Sequence, residues 1–236
     1  MRRVIGYWVL ALALVGSWLW PVTRAWWDVA DEAVFFALNG LLDAPWLAAV
    51  MGVANNRFAD VVVGLVMVGM LFCWVRAVKG EVRFARVAAC GLMVVFALLV
   101  MQAQRLAIDV SRLSPSLVLK PVHYLSELVP WAHPKDRSEG SFPGDHAAVL
   151  MMFAWFIRHH IGGRSGMFAW ALAVAFSLPR LFGGAHWLTD VSIGSVAITL
   201  VAMPLVLHAP FMQRLKGWTA GRLARMGALS RLVERL

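Results

Sequence analysis

Apolar stretches of bilayer length recur along this chain. In a hydrocarbon core only helices and closed barrels satisfy every backbone polar group. The stretches run from Val4 to Trp20, from Val61 to Val78, from Val87 to about Val110, twice within Ser141 to Asp190, and from Trp187 to Leu207. A helix needs about 20 residues to cross a ~30 Å core, so the pattern predicts an all-α membrane protein with six transmembrane helices. Composition agrees: the chain is 61% hydrophobic with a mean hydropathy of +0.71, whereas soluble domains average about 45–50% apolar. No linker rich in Gly, Ser or Pro divides the chain. We therefore expect one six-span membrane domain over 1–209 and a separate tail over 210–236.

The segments between the spans fix the expected topology. The first span ends in Trp18-Leu19-Trp20-Pro21 with no small-residue cleavage site, which predicts an uncleaved helix. Residues 22–60 carry Trp26, Trp27, Phe35, Phe36 and Trp46 and suit an interfacial segment of short helices. Asp60, in Asn55-Asn56-Arg57-Phe58-Ala59-Asp60, has two readings, a helix cap and a substrate contact. Arg57 opposes the dipole at a helix N-terminus. Beyond Pro210, Leu215, Trp218, Leu223, Met226, Leu229, Leu232 and Leu236 alternate with arginine and lysine, the pattern of a basic amphipathic helix on an anionic membrane face.

Arg2, Arg3, Arg76, Lys79, Arg83, Arg86, Arg158, Arg164 and the tail cations fall on one side of a six-span arrangement, accompanied by Glu81 and Glu234; the other acids fall opposite. The positive-inside pattern then places both termini in the cytoplasm and turns the Ser141 and Asp190 ends outward, to the periplasm of a bacterial inner membrane. The net charge of +9 is spread over short membrane-flanking segments, which makes nucleic acid a poor reading of the charge, and none is expected as a partner. Cys73 and Cys90 lie in separate apolar runs and read as buried thiols.

Ser141 to Asp190 concentrates the chemistry. Two apolar helices joined at the basic hinge Arg158-His159-His160-Ile161-Gly162-Gly163-Arg164 bring their far ends to one level, with His146 at one end and Arg180, His186 and Asp190 at the other. Ionisable groups at the mouth of a hydrophobic helix pair mark a functional site. Arg105 and Arg112 are seven apart at the outer end of the third span and share a face if the helix persists. With Arg180 they form a guanidinium set suited to phosphate oxygens.

His186 and Asp190, four apart, share a helical face. A carboxylate on one ring nitrogen leaves the other free to attack. His146 complements them by protonating a leaving oxygen. Two histidines and one aspartate make a sparse magnesium or calcium site, and no P-loop is present, so neither a metal nor a nucleotide cofactor is expected.

Arg105-x6-Arg112, Phe142-Pro143-Gly144-Asp145-His146 and Arg180-x5-His186-x3-Asp190 resemble the three motifs of the type 2 phosphatidic acid phosphatase (PAP2) superfamily: Lys-x6-Arg-Pro, Pro-Ser-Gly-His and Ser-Arg-x5-His-x3-Asp. The resemblance implies a six-helix membrane core and metal-free phosphoryl transfer. It implies His186 as a nucleophile forming a phosphohistidine, Asp190 as its orienter and His146 as general acid. Arg105, Arg112, Arg180, Ser141, Gly144 and Asp145 form the implied substrate-binding set. Leu113 stands where the family has Pro, Gly144-Asp145 where it has Ser-Gly, and Pro179 where it has Ser. Asp145 is expected either to cap the fourth span or to lie near the phosphate.

Ser-Phe-Pro-Gly-Asp-His, Asn55-Asn56-Arg57, Arg112-x-Ser114-Pro115, Ser126-Glu127-Leu128 and Gly184-Ala185-His186-Trp187 are similar to a subgroup that moves the terminal phosphate of undecaprenyl diphosphate onto the 1-phosphate of lipid A. This implies two lipid substrates whose tails stay in the bilayer through a lateral opening. The alternatives are an undecaprenyl diphosphate phosphatase or lipid A phosphatase, with water as acceptor, and a non-catalytic lipid-head-group binder. Glu127, Lys135 and Arg137 are candidates for acceptor recognition. His123, His133, His159, His160 and His208 read as ordinary loop, hinge and span-end positions.

Overall fold

The computed structural model describes residues 1–107 and 111–233, and every regular element among them is helical. The long helices are α1 (Arg2–Leu19), α2 (Pro21–Gly40), α3 (Pro45–Ala54), α4 (Arg57–Arg76) and α5 (Gly80–Ala107). Two single turns, α6 (Pro115–Val118) and α7 (Leu125–Leu128), lie in the long loop that follows. Then come α8 (Asp145–His160), α9 (Gly163–Phe182), a π-helical turn at Asp190–Ser195, α10 (Val196–His208) and α11 (Pro210–Val233).

Among the described residues, five segments are long and apolar enough to cross a membrane, α1, α4, α5, α9 and Asp190–His208, and the bent pair Pro21–Asp43 and Pro45–Ala54 passes the same test when taken together. The fourth expected span falls within α8, which has 16 residues in all, or about 24 Å. It is the most deeply buried of the helices at its middle turns. Met152, Phe153, Ala154, Phe156 and Ile157 are fully buried in the main cluster, which also draws in Ala169 and Ala173 of α9 and Met203 of α10. Between membrane helices the driving force is close packing rather than exclusion of water. The α8–α9 contact follows that rule: a Cβ at Gly166 would sit 2.6 Å from Arg158 Cδ. The hinge turns at Gly162, with φ of +71°, a conformation glycine adopts without penalty.

Several expectations change. Residues 22–60 form one 20-residue helix, α2, and then α3, bent by 116° across the intervening break, rather than a set of short helices. Pro21 and Pro45 each occupy a first turn, where a missing N–H costs nothing, so they start helices instead of breaking them. Asn56, not Asp60, caps α4, accepting from the Ala59 N–H at 2.8 Å. Cys73 is exposed on α4 and Cys90 is half-buried. The expected end of the third span at Val110, with Asp109, lies outside the described residues. The tail helix α11 packs against α5 and the end of α10, burying Met212, with Gln213 donating to the Leu207 carbonyl at 2.8 Å. Phe211, Leu215, Trp218 and Met226 remain exposed along it, an apolar stripe that suits a membrane surface.

Candidate active site

Two chain reversals build the site at one end of the bundle. The Ser141–Gly144 segment runs into the first turn of α8. The Ser141 N–H donates to the Arg112 carbonyl at 2.8 Å, and the Gly144 N–H to the Asp190 carbonyl at 3.0 Å. A Cβ at Gly144 would lie 2.9 Å from Ser195 Oγ and 3.2 Å from the Asp190 carbonyl, so glycine there lets the α8 start dock on the π-helical turn. The second reversal follows α9. Gly184 has φ of +69°, and a Cβ on it would meet the Phe35 ring at 2.7 Å. The chain turns back, the Ala185 and His186 N–H groups both donate to the Arg180 carbonyl, and Arg180 and His186 face a common space.

His186 therefore sits in a turn, and the shared helical face expected with Asp190 does not arise. Its Nδ1 lies 2.8 Å from the Ser141 carbonyl and 3.4 Å from Asp190 Oδ2. A carbonyl only accepts, so Nδ1 carries the proton and Nε2 keeps its lone pair. Asp190 is fully buried and committed elsewhere: Oδ2 accepts from the Trp187 N–H at 2.8 Å and Oδ1 from Arg112 at 2.8 Å. It holds the turn that holds the histidine. Ser141, expected to bind substrate, contributes its backbone carbonyl; its own Oγ is buried without a partner among the described residues.

Arg112 does not converge with Arg105. Its two terminal nitrogens are taken by Thr189 Oγ1 and Asp190 Oδ1 on one side and by Asp31 Oδ2 on the other, all at 2.7–2.8 Å. Its guanidinium also lies 4.7 Å from the Trp187 ring centroid. Asp31, buried on α2, accepts as well from the Thr189 N–H at 2.8 Å and the Thr189 hydroxyl at 2.6 Å. Sequence reasoning missed Asp31, because it is one of three acids on α2, with Asp28 and Glu32, and nothing local marks it as the one with a partner 81 residues away.

A second polar chain crosses the mouth of the bundle. Arg180 donates to both oxygens of Asp60 at 3.1 and 3.2 Å. Asp60 Oδ2 lies 3.2 Å from His146 Nε2, and Asp145 Oδ1 lies 3.0 Å from His146 Nδ1. Arg105 approaches Asp145 Oδ2 at 3.5 Å. Asp145 is the first residue of α8, with Gly144 at the cap position; its Oδ1 accepts the His146 backbone N–H at 2.7 Å, satisfying one free donor of the helix start, and also faces the His146 ring.

Asp145 and His146 precede the apolar run that begins at Ala147. Burial alone would raise the Asp145 carboxyl, but the hydrogen bonds and charge of His146 outweigh it and hold the carboxyl well below its usual range. The hydrogen bond that the ring donates to Asp145 raises His146 above its ordinary value, against burial and the Arg180 charge, with Asp60 adding to the rise.

A polar cavity of about 500 Å³ opens onto Arg105, Asp145, His146, Arg180 and His186, with Lys135 and Arg137 on its loop side. Arg137 is held by Glu127 at 3.2 Å. Ser141, Gly144, Arg112 and Asp190 lie behind this wall. An apolar groove of about 560 Å³ runs between α4, α5 and α8 and reaches Asp60, His146 and Arg105 at its polar end. The arrangement presents a free imidazole nitrogen, two guanidinium groups and a second imidazole set between two carboxylates to a phosphoryl group, with an apolar channel alongside.

The family model of the PAP2 superfamily matches residues 87–214, a stretch that contains all three motifs. Lipid A 1-diphosphate synthase of Escherichia coli (strain K12) is 33% identical over 209 residues, which is 88% of this chain and 87% of that protein. The crystal structure of the first transmembrane PAP2 type phosphatidylglycerolphosphate phosphatase from Bacillus subtilis superposes with a TM-score of 0.51 at 20% identity, covering 87% of this chain and 94% of that one; it shows the fold. With more than half the sequence inside the family's pattern, the chain belongs to the PAP2 superfamily, whose members are lipid phosphatases and phosphotransferases.

Proposed function

We propose that this membrane enzyme moves the distal phosphate of undecaprenyl diphosphate to the 1-phosphate of lipid A through a phosphohistidine at His186. The proposed site faces the periplasm from a bacterial inner membrane, the orientation favoured by the cationic segments at the opposite end. The observation that carries the reading is the 2.8 Å approach of His186 Nδ1 to the Ser141 carbonyl. With Nδ1–H committed to the Ser141 carbonyl, Nε2 is the free nucleophile on the wall of an arginine-lined cavity.

In this mechanism His186 Nε2 attacks the distal phosphorus and the bond to the lipid monophosphate breaks. Arg180 and Arg105 spread the charge of the transferring group. His146 donates to the departing oxygen. Asp190 and Arg112 act from behind, fixing the turn that carries His186. The acceptor phosphate then displaces the nitrogen, and no metal or cofactor takes part. The helices through His208 form the membrane domain, and the helix from Pro210 forms a basic cytoplasmic anchor. Lys135 and Arg137, with Glu127 steadying Arg137, suit the acceptor head group.

Purified enzyme given undecaprenyl diphosphate labelled in its distal phosphate is expected to place label on lipid A. Release of free phosphate alone, indifferent to lipid A, would leave a phosphatase of the same chemistry.

The groove between α4, α5 and α8 gives the donor chain a path into the bilayer. Gly64 lines it, and a Cβ there meets nothing within 4 Å, so Gly64→Phe fills the channel without a backbone clash. Losing even two CH₂ contacts at ~0.8 kcal/mol each is about tenfold in affinity. The variant should lose about that factor in kcat/KM on the long-chain donor and little on a short, water-soluble prenyl diphosphate. Equal losses on both would count against the groove.

A further inference from the structure

Both ring nitrogens of His146 face carboxylates, Nδ1 toward Asp145 at 3.0 Å and Nε2 toward Asp60 at 3.2 Å. Carboxylates accept, so this geometry is satisfied by the imidazolium, with a proton on each nitrogen. The charged and titratable groups around the ring come from every adjoining element. They are Asp145 on α8, Asp60 on α4, Arg180 on α9, Arg105 on α5 against Asp145, and His186 in the turn beyond α9. The two carboxylates make the direct contacts, and Arg180 is turned onto Asp60.

A phosphohistidine has two fates. When a lipid phosphate attacks, a P–O bond forms, the Nε2–P bond breaks, and its electron pair returns to His186. The attacking oxygen is already ionised, so no proton has to move. When water attacks, the same bonds change but a proton must also leave, and the group placed to take it is neutral His146. An imidazolium cannot. The departing monophosphate ionises near ~6, so at neutral pH it returns any proton borrowed from His146 in the first step.

We propose that Asp60 and Asp145 are positioning residues that hold His146 protonated, and so direct the phosphoenzyme toward an ionised phosphate acceptor and away from water. The inference rests on the phosphohistidine reading given above. It assigns a purpose to the carboxylate that follows Gly144 and to an acid contributed from a helix outside the three motifs.

The test uses full-length enzyme in detergent, charged with distally labelled undecaprenyl diphosphate and chased with buffer or with lipid A over a range of pH. Wild-type phosphoenzyme should hydrolyse slowly at neutral pH, and hydrolysis should accelerate as the pH rises through the titration of His146. In Asp60→Asn and in Asp145→Asn, examined separately, the ratio of hydrolysis to transfer should rise about tenfold for each unit by which the ring is acidified. The alkaline rise should also move to lower pH in both, a displacement that loss of packing alone would not produce. Two isosteric variants on different helices guard against one failing to fold. Phosphoenzyme that forms in both with an unchanged ratio and pH profile overturns the proposal. Absence of any wild-type phosphoenzyme overturns the transfer reading itself, and this proposal with it.

Discussion

Alanine at Arg112 is expected to destabilise the folded protein by about 3–5 kcal/mol, a far larger effect than weakened phosphate binding. The guanidinium is 14% exposed and lies against carboxylates on Asp31 and Asp190 that are 1% and 0% exposed. Removing it leaves two buried anions with no cation between them, and that costs more than the pair contributes when intact. Arg105→Ala is the control: this side chain is 65% exposed and its contact to Asp145 is 3.5 Å. It should raise KM with little change in stability. Denaturant titration in detergent, run beside substrate kinetics, separates the two. Normal stability of Arg112→Ala with a raised KM would return this arginine to the substrate-binding set.

The second large effect is at His186. Alanine there should abolish the covalent label and reduce transfer by ~10⁴-fold or more, the order seen when a nucleophile that acts within a coupled set is deleted. The fold should survive, because the ring is held by a single bond to the Ser141 carbonyl and a longer approach to Asp190. Loss of His146 should cost less, ~10²–10⁴-fold for a general acid, and least for donors with better leaving groups. Label retained on His186→Ala protein would remove this residue from the covalent step.

Hydropathy made the spans legible, since apolar length is a local property. Motif spacing also brought Arg105, Asp145, His146, Arg180 and His186 to one cavity, although the helical argument for pairing His186 with Asp190 was wrong. The glycines at 183 and 184 end α9 before that pair is reached. What resisted reading was long-range or carried by the backbone. The proton on His186 is fixed by a main-chain carbonyl, which no side-chain identity announces. Asp31 and Asp60 find their partners 81 and 120 residues away. Asp60 read as a cap or a substrate contact because the polar cluster before the span does not say which member caps it; Asn56, four residues earlier, does. Arg112 matched the family motif, yet its place in a buried ion cluster depends on α2, which lies before the matched region.

That buried cluster has a consequence for how the protein is made. Synthesis runs from the N-terminus, so Asp31 emerges well before Arg112 and 158 residues before Thr189, both of which it needs to be satisfied. Until the reversal after α9 is complete, the second helix bears an uncompensated carboxylate. A chain halted before that point cannot close its charge, and this leaves unfinished copies open to the proteases that clear incompletely folded protein.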